Sequence, residues 1–267
     1  MAYREGTGLV ILCQMDVSGR TETDPAATQL LSNVLRYASQ YEAKTASRTI
    51  LAADQPTRDF LKQAGFDPLA VQNDHLKKNA LLVVGPSAGQ QLAHNKDAIT
   101  ACLNEGGRVL ALGLSAQEAN AFLPLNVKTQ QTEYINGPFE PTDFSSPLAG
   151  LGPADVHNRD PRKIPLVTEG AQPLANGVLA RSRDNKVVFF QLAPWQYDYA
   201  KQYNLKRTFR RTSCTLSRIL ANMGAQARTP LLSRFAKGSG DDRSPWLTSY
   251  YLDEPVEMDD PYRFFRW

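Results

Sequence analysis

Apolar runs of strand length alternate with amphipathic stretches and predict an α/β chain, a mostly parallel sheet flanked by helices. Two observations carry this. Thr49-Ile50-Leu51-Ala52-Ala53, Ala80–Val84, Arg108-Val109-Leu110-Ala111-Leu112-Gly113 and Val187–Leu192 are nearly uninterrupted apolar runs, as strands covered on both faces require. In addition, Val10-Ile11-Leu12-Cys13-Gln14-Met15 returns as Val187-Val188-Phe189-Phe190-Gln191-Leu192. Leu-rich helical stretches follow both copies, Leu31-Ser32-Asn33-Val34-Leu35 and Leu216-Ser217-Arg218-Ile219-Leu220. The matching glutamines lie 177 residues apart, about one domain length. The pattern predicts three parts: a strand–helix remnant of a preceding domain over 1–46, an α/β domain over 47–228, and an extended aromatic arm over 229–267.

In chain order, Gly8–Val17 reads as a strand. Asp24-Pro25 starts a helix, with Asp as N-cap and Pro in the first turn, and Leu30, Leu31, Val34, Leu35 and Ala38 keep helical spacing. After the strand at Thr49, Pro56–Ala64 is amphipathic and stops at Gly65. Leu69-Ala70-Val71 is a short strand, and Asn95–Asn104 is a helix halted by Gly106-Gly107. Ala116–Phe122 is a helix ending before Pro124. Between Val127 and Asn185 the pattern loosens into loops, with alternation in Val127–Ile135 and Gly177–Arg183 that predicts strands at one edge of the sheet. Thr208–Met223 is the last long helix, stopped by Gly224. Beyond Thr229 the chain is acidic, with aromatic islands at Trp246, Tyr250, Tyr251, Tyr262, Phe264, Phe265 and Trp267.

Composition narrows the functional classes. A net charge of +3 with scattered cations, clustered only at Lys206, Arg207, Arg210 and Arg211, argues against nucleic acid as a partner. No apolar stretch reaches the ~18–20 residues of a membrane span, and no signal peptide or transmembrane segment is read in this chain. Cys13, Cys102 and Cys214 lie far apart in apolar settings and read as buried free thiols without metal spacing. No cofactor fingerprint is present: Gly85-Pro86-Ser87-Ala88-Gly89 lacks a P-loop lysine and reads as a turn.

Two segments carry a family resemblance. Cys13-Gln14-Met15-Asp16-Val17-Ser18-Gly19-Arg20-Thr21-Glu22-Thr23-Asp24-Pro25-Ala26 is one. Tyr251-Leu252-Asp253-Glu254-Pro255 with Asp259-Asp260-Pro261-Tyr262-Arg263-Phe264-Phe265-Arg266-Trp267 is the other. They resemble the carboxy-terminal regions of large bacterial glycoside hydrolases of the β-galactosidase-like kind. The middle, Thr49–Gly224, is similar to the class I glutamine amidotransferase-like, flavodoxin-like domain such proteins carry. That family's catalytic carboxylates belong to a (β/α)8 barrel, so no glycosidase residue carries over. An active amidotransferase places a cysteine in a Gly-x-Cys-x-Gly elbow. The comparable place here is Gly113-Leu114-Ser115-Ala116-Gln117, and no His-x-Glu occurs in the chain. The resemblance implies an amidotransferase-like fold without the original chemistry.

Ser115 has two readings. Ser115-Ala116-Gln117-Glu118 is a capping box. Alternatively Ser115 is the nucleophile of a small hydrolase acting on an ester or lactone, with His157 as base and Asp155 orienting it in the loop Ala154-Asp155-Val156-His157-Asn158-Arg159-Asp160. His75 and His94 are the other histidines. The bland reading of His157 is a loop residue held by neighbouring carboxylates. In the tail, Asp241, Asp242, Asp253, Glu254, Glu257, Asp259 and Asp260 read as solvated acids or, less simply, as calcium ligands, without EF-hand spacing. Trp195, Tyr197, Tyr199 and Tyr203 are expected to cover an interface or to stack on carbohydrate. The apolar strand Leu9–Met15 is expected to join the domain's own sheet or to pair with a second copy of the chain, and the aromatic tail to dock on the domain or across a dimer. The partners expected are neighbouring domains of a larger parent or that second copy.

Overall fold

The computed structural model describes residues 2–5, 8–13, 15–17, 19–42, 47–72, 76, 78–143 and 145–227. Gln14, Ser18, His75 and the whole arm from Arg228 onward, with its acidic and aromatic residues, lie outside the described residues. Two compact units divide at Ala46/Ser47.

The first unit holds β1 (Ala2–Glu5), β2 (Gly8–Ile11) and α1 (Pro25–Ser39). Asp24 caps α1 as expected, its carboxylate accepting the Ala26 N–H at 2.9 Å. The expectation that Leu9–Met15 joins the domain's own sheet is corrected. Residues 8–11 pair antiparallel with β1 as a two-stranded ribbon, not with the domain's own sheet. A tight hairpin satisfies one edge of the strand from within the chain, at far less loop entropy than a distant pairing.

The second unit contains β3 (Thr49–Ala52), α2 (Gln55–Gln63), β4 (Leu69–Ala70), β5 (Leu81–Val84), α3 (Lys96–Asn104), β6 (Arg108–Leu112) and α4 (Ala116–Phe122). After these come β7 (Lys128–Glu133), β8 (Lys163–Glu169), β9 (Gln172–Leu174), β10 (Leu179–Arg181), β11 (Val187–Phe190) and α5 (Lys206–Asn222). Seven strands form one sheet in the order β4-β3-β5-β6-β11-β10-β9. The first five are parallel, and β10 and β9 continue it antiparallel. Taken in chain order, the parallel strands run 2-1-3-4-5, a doubly wound arrangement. The chain is thus an α/β protein with a mostly parallel sheet flanked by helices.

Alternation along each strand splits the core in two. Leu51, Leu81, Val83, Leu110, Leu112, Val188 and Phe190 face α2 and α5, where Phe60, Leu61, Phe209, Leu216, Ile219 and Leu220 cover them. Ile50, Ala52, Leu82, Val84, Val109, Ala111, Val187 and Phe189 face α3 and α4, covered by Ile99, Leu103, Ala119 and Phe122. Burial on both faces is the reason these strands are apolar throughout.

The loose central stretch holds more structure than its pattern shows. Residues 128–133 and 163–169 pair antiparallel in a separate ribbon, β7-β8. The run Lys163-Ile164-Pro165-Leu166-Val167-Thr168-Glu169 carries a proline, which a ribbon edge tolerates. The thiol expectation is corrected for two of three residues. Cys102 is buried in α3, whereas Cys13 and Cys214 are exposed. Cys13 follows the half-buried strand β2, and Cys214 is exposed on α5, whereas Leu216 and Ile219 of the same helix are buried.

Candidate functional site

Open α/β sheets bind ligands at the carboxyl ends of their strands, at the point where strand order reverses. In this chain that point lies between β3 and β5, and it is filled by the protein itself. A Cβ built on Gly85, just past β5, would lie 2.7 Å from Ala53 Cβ and 3.1 Å from Thr57 Oγ1. Thr57 is fully buried and donates its hydroxyl to Asp54 Oδ1 at 2.5 Å, while Asp54 also accepts the Thr57 N–H and caps α2. The Gly85 N–H is bonded to Ala52 O. Glycine is needed at position 85 because the β3–α2 corner presses directly on its backbone.

One strand along, the loops after β5 and β6 are tied together by one carboxylate. Glu118 Oε1 accepts the Ser87 N–H at 2.7 Å. Its Oε2 accepts the Ser115 N–H at 3.0 Å and the Ser115 hydroxyl at 2.9 Å, and Ser115 Oγ in turn accepts the Glu118 N–H at 3.3 Å. This is the capping box expected for α4, with one bond more: the same carboxylate reaches back to a loop 31 residues earlier. The two loops also touch at Gly89, where an added Cβ would lie 2.5 Å from Glu118 O, and through Gln90 Nε2 donating to Gln117 O.

The elbow geometry belongs to a residue the sequence reading passed over. Ser115 has φ −72° and ψ 163°, ordinary extended backbone. Ser87 has φ +67°, the left-handed region that costs a non-glycine residue roughly 1–2 kcal/mol. It is exposed on the strand-to-helix turn Gly85-Pro86-Ser87-Ala88-Gly89, and that Gly-x-Ser-x-Gly spacing was the available signal. Its N–H points at Glu118. Gln191, 2% exposed at the end of β11, donates to Leu114 O at 3.1 Å, and its Oε1 has no hydrogen-bond partner among the described residues.

Ser115, His157 and Asp155 are not brought together. Ser115 opens α4, which packs on one face of the sheet, whereas Val156 and α5 pack on the other. His157 Nδ1 lies 3.0 Å from Arg211 Nη1, and Arg211 Nη1 also donates to His157 O at 2.9 Å. A guanidinium has no acceptor, so Nδ1 accepts and the ring proton of the neutral imidazole sits on Nε2. Burial and then the Arg211 and Arg159 charges push the His157 pKa below its usual value. An imidazole so held has no free nitrogen with which to take a serine proton. The expected carboxylate surroundings of His157 are corrected as well. Asp155 accepts the Gly152 N–H at 2.8 Å, and Asp160 is paired with Arg162.

The aromatic loop is also corrected. Tyr197 is 3% exposed, with Arg162 stacked 4.9 Å from its ring centre. Trp195 packs on Phe60 at 5.6 Å and Tyr199 on Phe209 at 4.5 Å between ring centres. These rings pack on the domain's own core against Phe60 of α2 and Phe209 of α5. The side chain of Tyr203 lies outside the described residues. No group of three or more potential metal-binding side chains occurs among the described residues, and no described helix is long and apolar enough to cross a membrane.

No family model matches the chain, and no curated protein matches it. Among solved structures, a chain in the structure of PurLQS from Thermotoga maritima is similar over 66% of this chain and 99% of that chain. The sequence identity is 12% and the TM-score 0.44, and at that level no residue role or activity carries over.

Proposed function

We propose that residues 47–228 form a non-catalytic, amidotransferase-like accessory or interaction module derived from a glycoside hydrolase-like protein. The supporting observation is the Glu118 carboxylate. It occupies the Ser115 hydroxyl and the N–H groups of both strand-end loops, where a reacting group would have to sit. The filled corner at Gly85, Ala53 and Thr57 supports the same reading. The hydrolase reading through Ser115 and His157 would need both residues to leave their partners and meet from opposite faces of the sheet.

The test is turnover by the purified full chain on glutamine, aryl glycosides, aryl esters and lactones, beside Ser115→Ala and His157→Ala. No turnover above the buffer rate is expected for any of the three proteins. Ester or lactone hydrolysis that disappears in both variants would establish the hydrolase instead.

The interaction partner is a second copy of the chain or a neighbouring domain. This rests on the apolar surface of the first unit, where Leu12 is 49% exposed, Met15 60%, Leu35 60% and Tyr37 57%. The repeat counterparts of Leu12, Met15 and Leu35, namely Phe189, Leu192 and Leu220, are at most 1% exposed. Sedimentation velocity should show a dimer or larger species that Leu35→Asp dissociates. A monomer at all concentrations up to 100 times the micromolar range would leave the neighbouring domain as the partner.

A further inference from the structure

The pair Asn-Gly occurs twice in the chain, at Asn136-Gly137 after β7 and at Asn176-Gly177 between β9 and β10. The fold sets the two side by side. Asn176 Nδ2 donates to Asn136 O at 3.2 Å, and a Cβ built on Gly137 would lie 2.5 Å from Ala175 C and 2.7 Å from Ala175 Cα. That approach compels glycine at 137. Glycine is compelled at 177 by a φ of +88° and by Val167 O, which an added Cβ would strike. Neither asparagine can therefore be followed by a side chain that would shield the next peptide nitrogen. Asparagine is a chemically labile residue, and glycine after it leaves its carboxamide carbon most open to that nitrogen.

The two asparagines are both exposed but are held differently. Asn176 is committed through its side chain to Asn136 O, and its backbone, at φ 57° and ψ 24°, lies in the short turn Ala175–Gly177. That turn would have to open, and ψ rotate, before the Asn176 carboxamide carbon met Gly177 N. Asn136 contributes only its main-chain oxygen to the shared bond. Its carboxamide has no hydrogen bond among the described residues, and neither has the Gly137 N–H. Gly137 is buried, where an unpaired N–H is uncommon. The main chain just before it is fixed, since the Asn158 side chain donates to Tyr134 O at 3.2 Å and the Asn158 N–H to Ile135 O at 2.7 Å. An unbonded peptide nitrogen thus stands beside an unbonded carboxamide.

We propose that Asn136 is a site of self-modification, converted to aspartate and isoaspartate through a cyclic imide with Gly137 N, and that the fold protects Asn176 from the same reaction. Gly137 N gives its proton to solvent and bonds to Asn136 Cγ. The Cγ–Nδ2 bond breaks, and the nitrogen leaves as ammonia with a proton from water. Water then opens the ring. Attack at the side-chain carbonyl gives aspartate, and attack at the main-chain carbonyl gives isoaspartate, which puts one more carbon into the backbone where it meets Ala175 and Asn176. Nothing is oxidised or reduced, and each product carries a new negative charge.

Incubation of the full chain in mildly alkaline buffer tests this, with peptide mapping by electron-based fragmentation to tell isoaspartate from aspartate. Both isomers should accumulate at position 136 at least about tenfold faster than at 176, because the bonds of Asn176 and of its turn must open first. In concentrated urea the two pairs should react within about threefold of each other, since the selection comes from the fold. Asn136→Gln should remove the product at 136 and leave the rate at Asn176 unchanged, with the melting temperature measured beside it to show that the variant is folded. The proposal is overturned by no product at 136 in the folded chain, by a smaller preference for 136, by a preference that persists unchanged in urea, or by aspartate without isoaspartate, which the cyclic route does not give.

Discussion

Replacing Glu118 by alanine is the most direct perturbation of the strand-end loops. The carboxylate accepts three hydrogen bonds in the structure, from the Ser87 N–H, the Ser115 N–H and the Ser115 hydroxyl. Loss of the capping box costs ~1 kcal/mol, within a range of about 0.5–2. The cross-loop bond from Ser87 is charge-assisted, and such bonds contribute ~1.5–3 kcal/mol. Because Ser87 is exposed, water replaces part of that bond, so the lower end applies. The sum is about 2.5 kcal/mol, which for a unit of this size lowers the melting temperature by roughly 5–10 °C. Urea and thermal unfolding of the wild type, Glu118→Ala, Ser115→Ala and the double variant measure it. Since the two residues share one network, the double variant should cost less than the sum of the singles, with a coupling of at least ~0.5 kcal/mol. A Glu118→Ala cost below ~0.5 kcal/mol, or strict additivity, would refute the shared-carboxylate account.

Gly85→Ala brings a methyl group to 2.7 Å from Ala53 Cβ and should cost ~1–3 kcal/mol, partly recovered by adding Ala53→Gly; no recovery in urea titrations would mean the corner is not closely packed. The Tyr134 hydroxyl is buried without a hydrogen-bond partner among the described residues, so Tyr134→Phe should leave stability unchanged or raise it by up to ~1 kcal/mol, and a loss above that would reveal a partner for the hydroxyl. Burial raises the pKa of Tyr134 and of Tyr197 above the phenol's usual value of ~10. Their contribution is therefore complete below about pH 10 and lost as the pH rises beyond it; ultraviolet difference titration should show two tyrosines that ionise last, together with unfolding. His157 has the opposite sense. Its folded pKa lies below the unfolded value of ~6.5, so its contribution is present above pH ~6.5 and is lost as the pH falls. An NMR titration should place the His157 midpoint below the ~6.5 of an unperturbed imidazole, and Arg211→Ala should raise it; an unmoved midpoint would show that the guanidinium does not govern this ring.

The elements that sequence made legible are those whose cause is local. Strands covered on both faces must be apolar at every position, so Leu81-Leu82-Val83-Val84 and Val187-Val188-Phe189-Phe190 declare themselves without any knowledge of their neighbours. Capping boxes act within one turn, so Ser115 with Glu118 and Asp24 with Pro25 were readable as helix starts. Weak alternation with a proline hid β8, because a strand in a two-stranded ribbon needs neither a continuous apolar run nor a full set of N–H donors. The motif Gly85-Pro86-Ser87-Ala88-Gly89 was visible, but a left-handed φ at Ser87 is a property of the folded turn.

What only tertiary structure decided is which groups meet. Glu118 closes on Ser87 across 31 residues, and Arg211 reaches His157 across 54. Sequence placed carboxylates beside His157 because Asp155 and Asp160 are near it in the chain. The fold turns those acids to Gly152 and Arg162 and brings in a guanidinium from α5. Likewise the Leu-rich helices of the two repeats look alike as sequence, yet Leu220 is 1% exposed and Leu35 is 60% exposed. Hydrophobic periodicity reports that a face is able to be buried; whether it is buried depends on whether a sheet lies beneath it. Local chemistry wrote the α/β pattern and the helix caps, whereas the charge, accessibility and partners of each candidate residue arose from contacts between segments far apart in the chain, which no window of neighbouring residues contains.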